Sequence, residues 1–225
     1  MIPVESGGRR LKAIYEAPFR GGRPPLGLVI FAHGSGSSRL SPRNQWVARE
    51  FRNRGMATLL VDLLSEEEAL DRSLVFDTRL LADRLIRIAR WTHRELKRDP
   101  LGPRSFAFFG ASTGAAAALL AAPFLEDLPL VGVLSRGGRP DLAGARNLRR
   151  VRLPTLFIVG ALDEGVVELN QIAAHEIPGS EIVLIPGATH LFEETGTLDE
   201  VSEIAGTWFS RKFKSATEDL GRVAA

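Results

Sequence analysis

The sequence predicts an α/β protein with a mostly parallel, twisted sheet and helices on both of its faces. Three observations carry that reading. Short runs such as residues 26–32 and 57–64 are apolar at nearly every position, as strands covered on both sides are. Between the runs lie stretches with apolar residues at helical spacing, so that strand and helix alternate along the chain. The runs end in loops of small or polar residues, and in open sheets of this kind ligands bind above those carboxyl ends.

Taken in order, residues 2–5 and 10–17 flank Gly7-Gly8 and read as an opening antiparallel hairpin. A polar connection over 20–25 precedes the strand at 26–32. A helix over 43–53 follows, because Trp46, Val47 and Phe51 form one stripe and Gly55 closes it. After the strand at 57–64, the acidic residues 65–71 read as a surface loop. Residues 75–97 form a long amphipathic helix, with Leu81, Leu85, Ile88 and Ala89 on one side and Arg79, Asp83, Arg87 and Arg90 on another. A strand over 105–109 runs into Gly110-Ala111-Ser112-Thr113-Gly114 and then an Ala/Leu helix. Strands at 128–134, 154–159 and 181–185 alternate with helices near 142–149 and 166–176. The last helix spans about 198–213, and the tail beyond Lys214 is expected to fray. No repeat or long linker interrupts this order, so residues 1–225 are read as one domain.

Composition narrows the function. Apolar residues make up 44% of the chain and charged ones 25%, an ordinary globular balance. The formal charge is +2 with acidic and basic residues interleaved, so neither a nucleic-acid stripe nor a membrane-binding run is expected. The chain has no cysteine, which removes thiolate catalysis and disulfides. No His/Asp/Glu set has metal-ligand spacing and there is no glycine-rich phosphate loop, so no metal or other cofactor is expected. The apolar runs are too short to span a bilayer and residues 1–10 lack a signal core, which points to a soluble, cytoplasmic protein.

The chemistry centres on Gly-x-Ser-x-Gly at 110–114. Between a strand and a helix this pentapeptide is a nucleophile elbow, and it lifts the Ser112 hydroxyl above the sheet. The glycines are needed because side chains there would drive strand and helix into each other. A serine nucleophile needs a base, a group that orients the base, and donors for the developing oxyanion. His190 follows the last strand in Gly-x-x-His and is the base candidate. Asp163 follows the preceding strand in Gly-x-x-Asp and is the orienter, although Asp there could equally be a helix N-cap. Asp141 is a rival acid, since it also follows a strand. The oxyanion donors expected are the amides of Thr113 and Ser35, the latter in the loop after His33-Gly34; His33 itself is read as structural.

On these residues the chain resembles the α/β-hydrolase superfamily, and most of all its dienelactone-hydrolase-like branch. The motifs carrying the resemblance are His33-Gly34-Ser35-Gly36, Gly110–Gly114, Asp163 and His190. The order Ser112, Asp163, His190 is the superfamily's own. One departure is visible: the branch's namesake enzymes use cysteine as nucleophile where this chain has serine. The resemblance implies an α/β-hydrolase fold and a serine esterase acting on a small-molecule ester or lactone. Only about fifteen residues separate the strand ending near Ser135 from the next, which leaves no room for a large cap there. Thioesterase, peptidase and acyltransferase chemistry remain open, as does a binding domain without catalysis. Arg136 and Arg139 follow a strand end and are substrate-binding candidates for a carboxylate or phosphate, against the alternative that they pair with surface carboxylates.

Overall fold

A computed structural model describes residues 2–6, 9–19 and 24–223. Strands β1 (Ile2–Ser6) and β2 (Arg9–Glu16) form the antiparallel hairpin, with Ile2 opposite Ala13; its Gly7-Gly8 turn lies outside the described residues. β2 pairs antiparallel with β4 (Ala57–Val61), joining the hairpin to a parallel array. That array holds β3 (Leu28–Ala32), β5 (Phe106–Ala111), β6 (Leu130–Arg136), β7 (Thr155–Gly160) and β8 (Glu181–Ile185). The full order is β1-β2-β4-β3-β5-β6-β7-β8.

The near-continuous apolar runs exist because each central strand feeds two cores. Val29 and Phe31 of β3, with Ala107 and Phe109 of β5, face α1 (Pro42–Asn53) and α7 (Thr197–Val223). There Phe31, Phe51, Phe109 and Phe209 pack ring to ring, Phe31 and Phe109 with centroids 4.7 Å apart. Leu28, Ile30, Phe106 and Phe108 alternate to the other face, under α3 (Thr78–Leu96), α4 (Thr113–Ala121), the short α5 (Ala145–Leu148) and α6 (Glu164–Glu176). The predicted stripe of Leu81, Leu85, Ile88 and Ala89 is buried there.

Three expectations change. The acidic stretch is not a plain loop: it holds a 3-10 turn at Glu68–Leu70 and a short helix, α2 (Arg72–Val75). Ser65 and Glu68 form a reciprocal capping pair, Ser65 N–H donating to Glu68 Oε2 (2.9 Å) and Glu68 N–H to Ser65 Oγ (3.3 Å). The long helix therefore starts at Thr78 rather than 75, because Asp77 Oδ1 accepts from the amides of Arg79 and Leu80 and starts a new helix there. At the other end, α7 continues to Val223 instead of fraying after Lys214. No helix among the described residues is long and apolar enough to cross a membrane.

Candidate active site

Ser112 sits between β5 and α4 with φ 50° and ψ −121°, a region that residues with side chains avoid. What holds it there is close packing. A methyl group at Gly110 would lie 2.4 Å from Ala115 Cα, and one at Gly114 would lie 2.2 Å from the carbonyl oxygen of Ala32. Gly110 thus spares strand from helix, whereas Gly114 spares the helix from β3. The Ser112 amide donates to Arg136 O (3.2 Å) and its carbonyl accepts from Arg139 N–H (3.1 Å), which pins the elbow to the end of β6.

Asp163 and His190 arrive from β7 and β8. Backbone bonds from Ala161 N–H to Ile185 O and from Leu162 N–H to Ala188 O, both 2.9 Å, hold the two loops together. Asp163 Oδ2 then lies 2.6 Å from His190 Nδ1. Placing the proton on Nδ1 satisfies the carboxylate and leaves Nε2 as an acceptor. Asp163 occupies the N-cap position of α6 but its side chain makes no capping bond. Asp141 is engaged elsewhere, in a two-pronged ion pair with Arg139 (2.9 and 2.8 Å). The imidazole is 37% exposed and lies beside Gly137, whose φ is +51° and which directly follows Arg136, the residue whose carbonyl binds the elbow amide. A methyl group there would fall 3.7 Å from His190 Cε1 and 3.2 Å from His190 O. Ser112 and His190 thus flank one turn of backbone, and no hydrogen bond joins Ser112 Oγ to the ring. Such contacts often tighten only once substrate is bound.

On the oxyanion side, the Thr113 amide is among the first of α4, where helical N–H groups lack intrahelical partners. The Ser35 amide is already committed: it donates to Thr113 Oγ1 at 2.8 Å. His33 braces this loop. Leu63 N–H donates to its Nε2 (3.1 Å), which puts the proton on Nδ1, facing Gly34 O at 3.0 Å. Burial lowers its pKa and keeps it neutral.

The two arginines separate. Arg139 pairs with Asp141, as the surface-pairing alternative had it. Arg136 is 7% exposed and has no carboxylate partner among the described residues. Its Nη2 donates to Asn44 Oδ1 (3.3 Å), its guanidinium lies over the Phe192 ring, and its Nε is unbonded. Desolvation, with a smaller contribution from nearby Arg43, pushes its pKa down to about 10. Sequence reading missed Asn44, the Thr113 hydroxyl and Gly137. Only Gly137 had a visible signal, the paired glycines directly after a strand. Among the described residues no group of His, Cys, Asp or Glu side chains could hold a metal ion.

Known proteins share the fold. A dienelactone hydrolase from Anabaena variabilis superposes with a TM-score of 0.85 at 43% identity, over 93% of this chain and 95% of that one. This chain belongs to the dienelactone hydrolase family. A wider set of α/β hydrolases shares the fold at lower identity. Est1E from Butyrivibrio proteoclasticus matches at a TM-score of 0.80 and 15% identity over 95% of this chain and 98% of that one. A lidless α/β serine hydrolase from Xanthomonas campestris matches at 0.71 and 20% over 90% and 89%. No protein-family model matches the chain. Two Mycobacterium tuberculosis proteins, provisionally named phosphoribosyl transferases, are 52% identical over 188 residues, 82% of this chain; the chain spans 41% of their length. Fold and structural neighbours together support a hydrolase, which the names of the two Mycobacterium tuberculosis proteins do not.

Proposed function

We propose that the chain is a serine hydrolase that cleaves a carboxylic ester or lactone of a small molecule through an acyl-enzyme on Ser112. The observation that carries this reading is the 2.6 Å contact between Asp163 and His190, set beside a strained serine elbow. His190 Nε2 takes the Ser112 proton as Oγ bonds to the carbonyl carbon, and Asp163 stabilises the resulting imidazolium. The oxyanion is met by the Thr113 amide. The Ser35 amide acts through the Thr113 hydroxyl, whose oxygen it already engages and whose own proton is left to donate. As the C–O bond breaks, the imidazolium returns the proton to the leaving alkoxide. Water, deprotonated by the same ring, then releases the acid and frees Ser112. Arg136, a desolvated cation without a carboxylate, is where an acidic substituent of the substrate would be met.

The test is a panel of neutral and acidic p-nitrophenyl esters and lactones. Ser112→Ala should abolish turnover. Asp163→Asn should cut kcat by about 10⁴-fold while Asp141→Asn leaves it within about threefold, since only the residue bonded to Nδ1 sets the tautomer. Arg136→Gln should raise KM for acidic esters alone. An active Ser112→Ala enzyme, or equal losses in the two Asp variants, would refute the assignment. Hydrolysis confined to thioesters or amides would instead move the same machinery to a sister chemistry.

A further inference from the structure

The loop that carries His190 leaves β8 at Ile185 and enters α7 at Thr197, and it is strained midway. Phe192 stands at φ +56°, a region that bulky residues avoid, with its side chain buried. Letting residues 189–192 swing outward would relieve that turn, and His190 would move with them. A contact that closes the turn therefore bears directly on the imidazole.

Glu194 makes that contact. Its Oε1 accepts from the Thr189 amide (3.2 Å) and from the Thr189 hydroxyl (2.5 Å), so one oxygen grips the residue just before His190 twice. The second bond has the length of a hydroxyl on a charged acceptor, about 2.5–2.7 Å. Glu194 is itself fixed from behind. Its carbonyl accepts from Thr197 N–H (3.1 Å) and Thr197 Oγ1 (2.8 Å) at the head of α7. That helix is anchored by Trp208, Phe209 and Phe213, all buried. One carboxylate thus links a packed helix to the neighbour of the imidazole.

We propose that Glu194 is a positioning residue for the base, clasping Thr189 so that the His190 ring keeps its bond to Asp163. The proposal rests on the hydrolase reading above and adds a residue to its machinery. The alternative is a loop cap that serves stability alone, and two observations weigh against it. Thr189 is exposed and Glu194 half-buried, and bonds so near water add little to global stability. The other carboxylate oxygen, Oε2, is enclosed yet accepts nothing from any described residue, a cost that a residue serving stability alone would avoid. Nor is the Asp163 bond a sufficient tether, because the ring is 37% exposed and water competes for it. The Thr189 hydroxyl also draws the Glu194 carboxyl below its ordinary pKa, so the clasp is charged wherever His190 is neutral enough to act as a base.

Glu193 supplies the control, since it belongs to the same loop but forms an exposed ion pair with Arg43 of α1 (2.7 Å). The experiment measures kcat and KM on one p-nitrophenyl ester. Glu194→Ala should lower kcat by about 10- to 100-fold with KM within about twofold, as a displaced base does. Glu194→Gln keeps an acceptor oxygen and should stay within about fivefold of wild type. Thr189→Val should lose less than Glu194→Ala, because the amide contact survives, and it carries the test should Glu194→Ala fail to fold. The double variant should lose no more than Glu194→Ala alone, since both substitutions open one contact. Glu193→Ala should stay within about twofold. A second readout needs no turnover: the far-downfield proton resonance of the Nδ1–H donated to Asp163, identified by its absence in Asp163→Asn. It should vanish in Glu194→Ala and persist in Glu194→Gln and Glu193→Ala. An unchanged kcat in Glu194→Ala or Thr189→Val, equal losses at 193 and 194, additive losses in the double variant, or a downfield proton retained in Glu194→Ala would overturn the proposal. The underlying reading fails by a different signature, a folded wild type that shows the downfield proton but turns over no ester and whose Ser112 resists a phosphonate probe.

Discussion

At Thr113 the two donors proposed for the oxyanion converge on one residue. Its amide heads α4, and its hydroxyl oxygen holds the Ser35 N–H. Thr113→Val keeps the shape and the amide but removes the hydroxyl, leaving Ser35 N–H without its acceptor. We expect kcat to fall about 10²-fold with KM little changed, the signature of a contact made in the transition state. Thr113→Ser should recover most of the loss. Steady-state kinetics of the pair on one ester checks this, and an unchanged kcat in Thr113→Val would show that the hydroxyl takes no part. The same residue marks a limit of sequence reading. A Gly-x-Ser-x-Gly motif shows that Thr113 follows the nucleophile, but it says nothing about a partner 78 positions upstream.

Among the elements, the loop from β3 is tied to the end of β4 through His33, whose neutral ring accepts from Leu63 N–H. Its folded pKa lies below the ordinary value because burial disfavours the charged ring. The unfolded chain therefore takes up the proton first. This contribution to stability is complete above about pH 6.5 and drains away as the pH falls toward the folded value. His33→Gln keeps an acceptor for Leu63 but cannot titrate. Denaturant titrations between about pH 7.5 and about pH 5.5 should show wild type losing more stability than the variant; parallel losses would assign the acid sensitivity elsewhere.

Strands and their partner helices were legible because each is announced by its own neighbours: the apolar run of β3, the spacing of Val47 and Phe51 with Gly55 after it for α1, the stripe on α3. Asp163 and His190 were legible for the same reason, each standing just past a strand. What escaped was set by distant pairings. Glu68 reads as one acid among several until Arg84 buries it, and Asp77 reads as part of a helix until its carboxylate caps the amides that follow.

Across the molecule, the aromatic core fills one face of the sheet and the candidate site sits at one edge of it. The site hangs from the carboxyl ends of β3 to β8, while the aromatic core around Phe51 and Phe209 lies beneath α1 and α7. Phe213, fully buried and stacked on Phe209 at 6.1 Å, is the last buried side chain among those described. From Lys214 to Glu218 the described side chains are exposed or half-buried. A chain ending at Lys214 should melt within about 2 °C of the full length, whereas Phe213→Ala should lower Tm by on the order of 10 °C. Thermal melts of the two decide, and a large drop from the truncation would mean that the end of α7 has a docking role.

The backbone at position 112 has a further consequence. A residue with a side chain at φ 50° and ψ −121° stands in a conformation that glycine would adopt with far less strain. Drift under selection for folding alone would favour removing that side chain. A strained serine at this turn supports the proposed nucleophile, and on that proposal any attempt to make this molecule hardier by relaxing its least comfortable residue would disarm it.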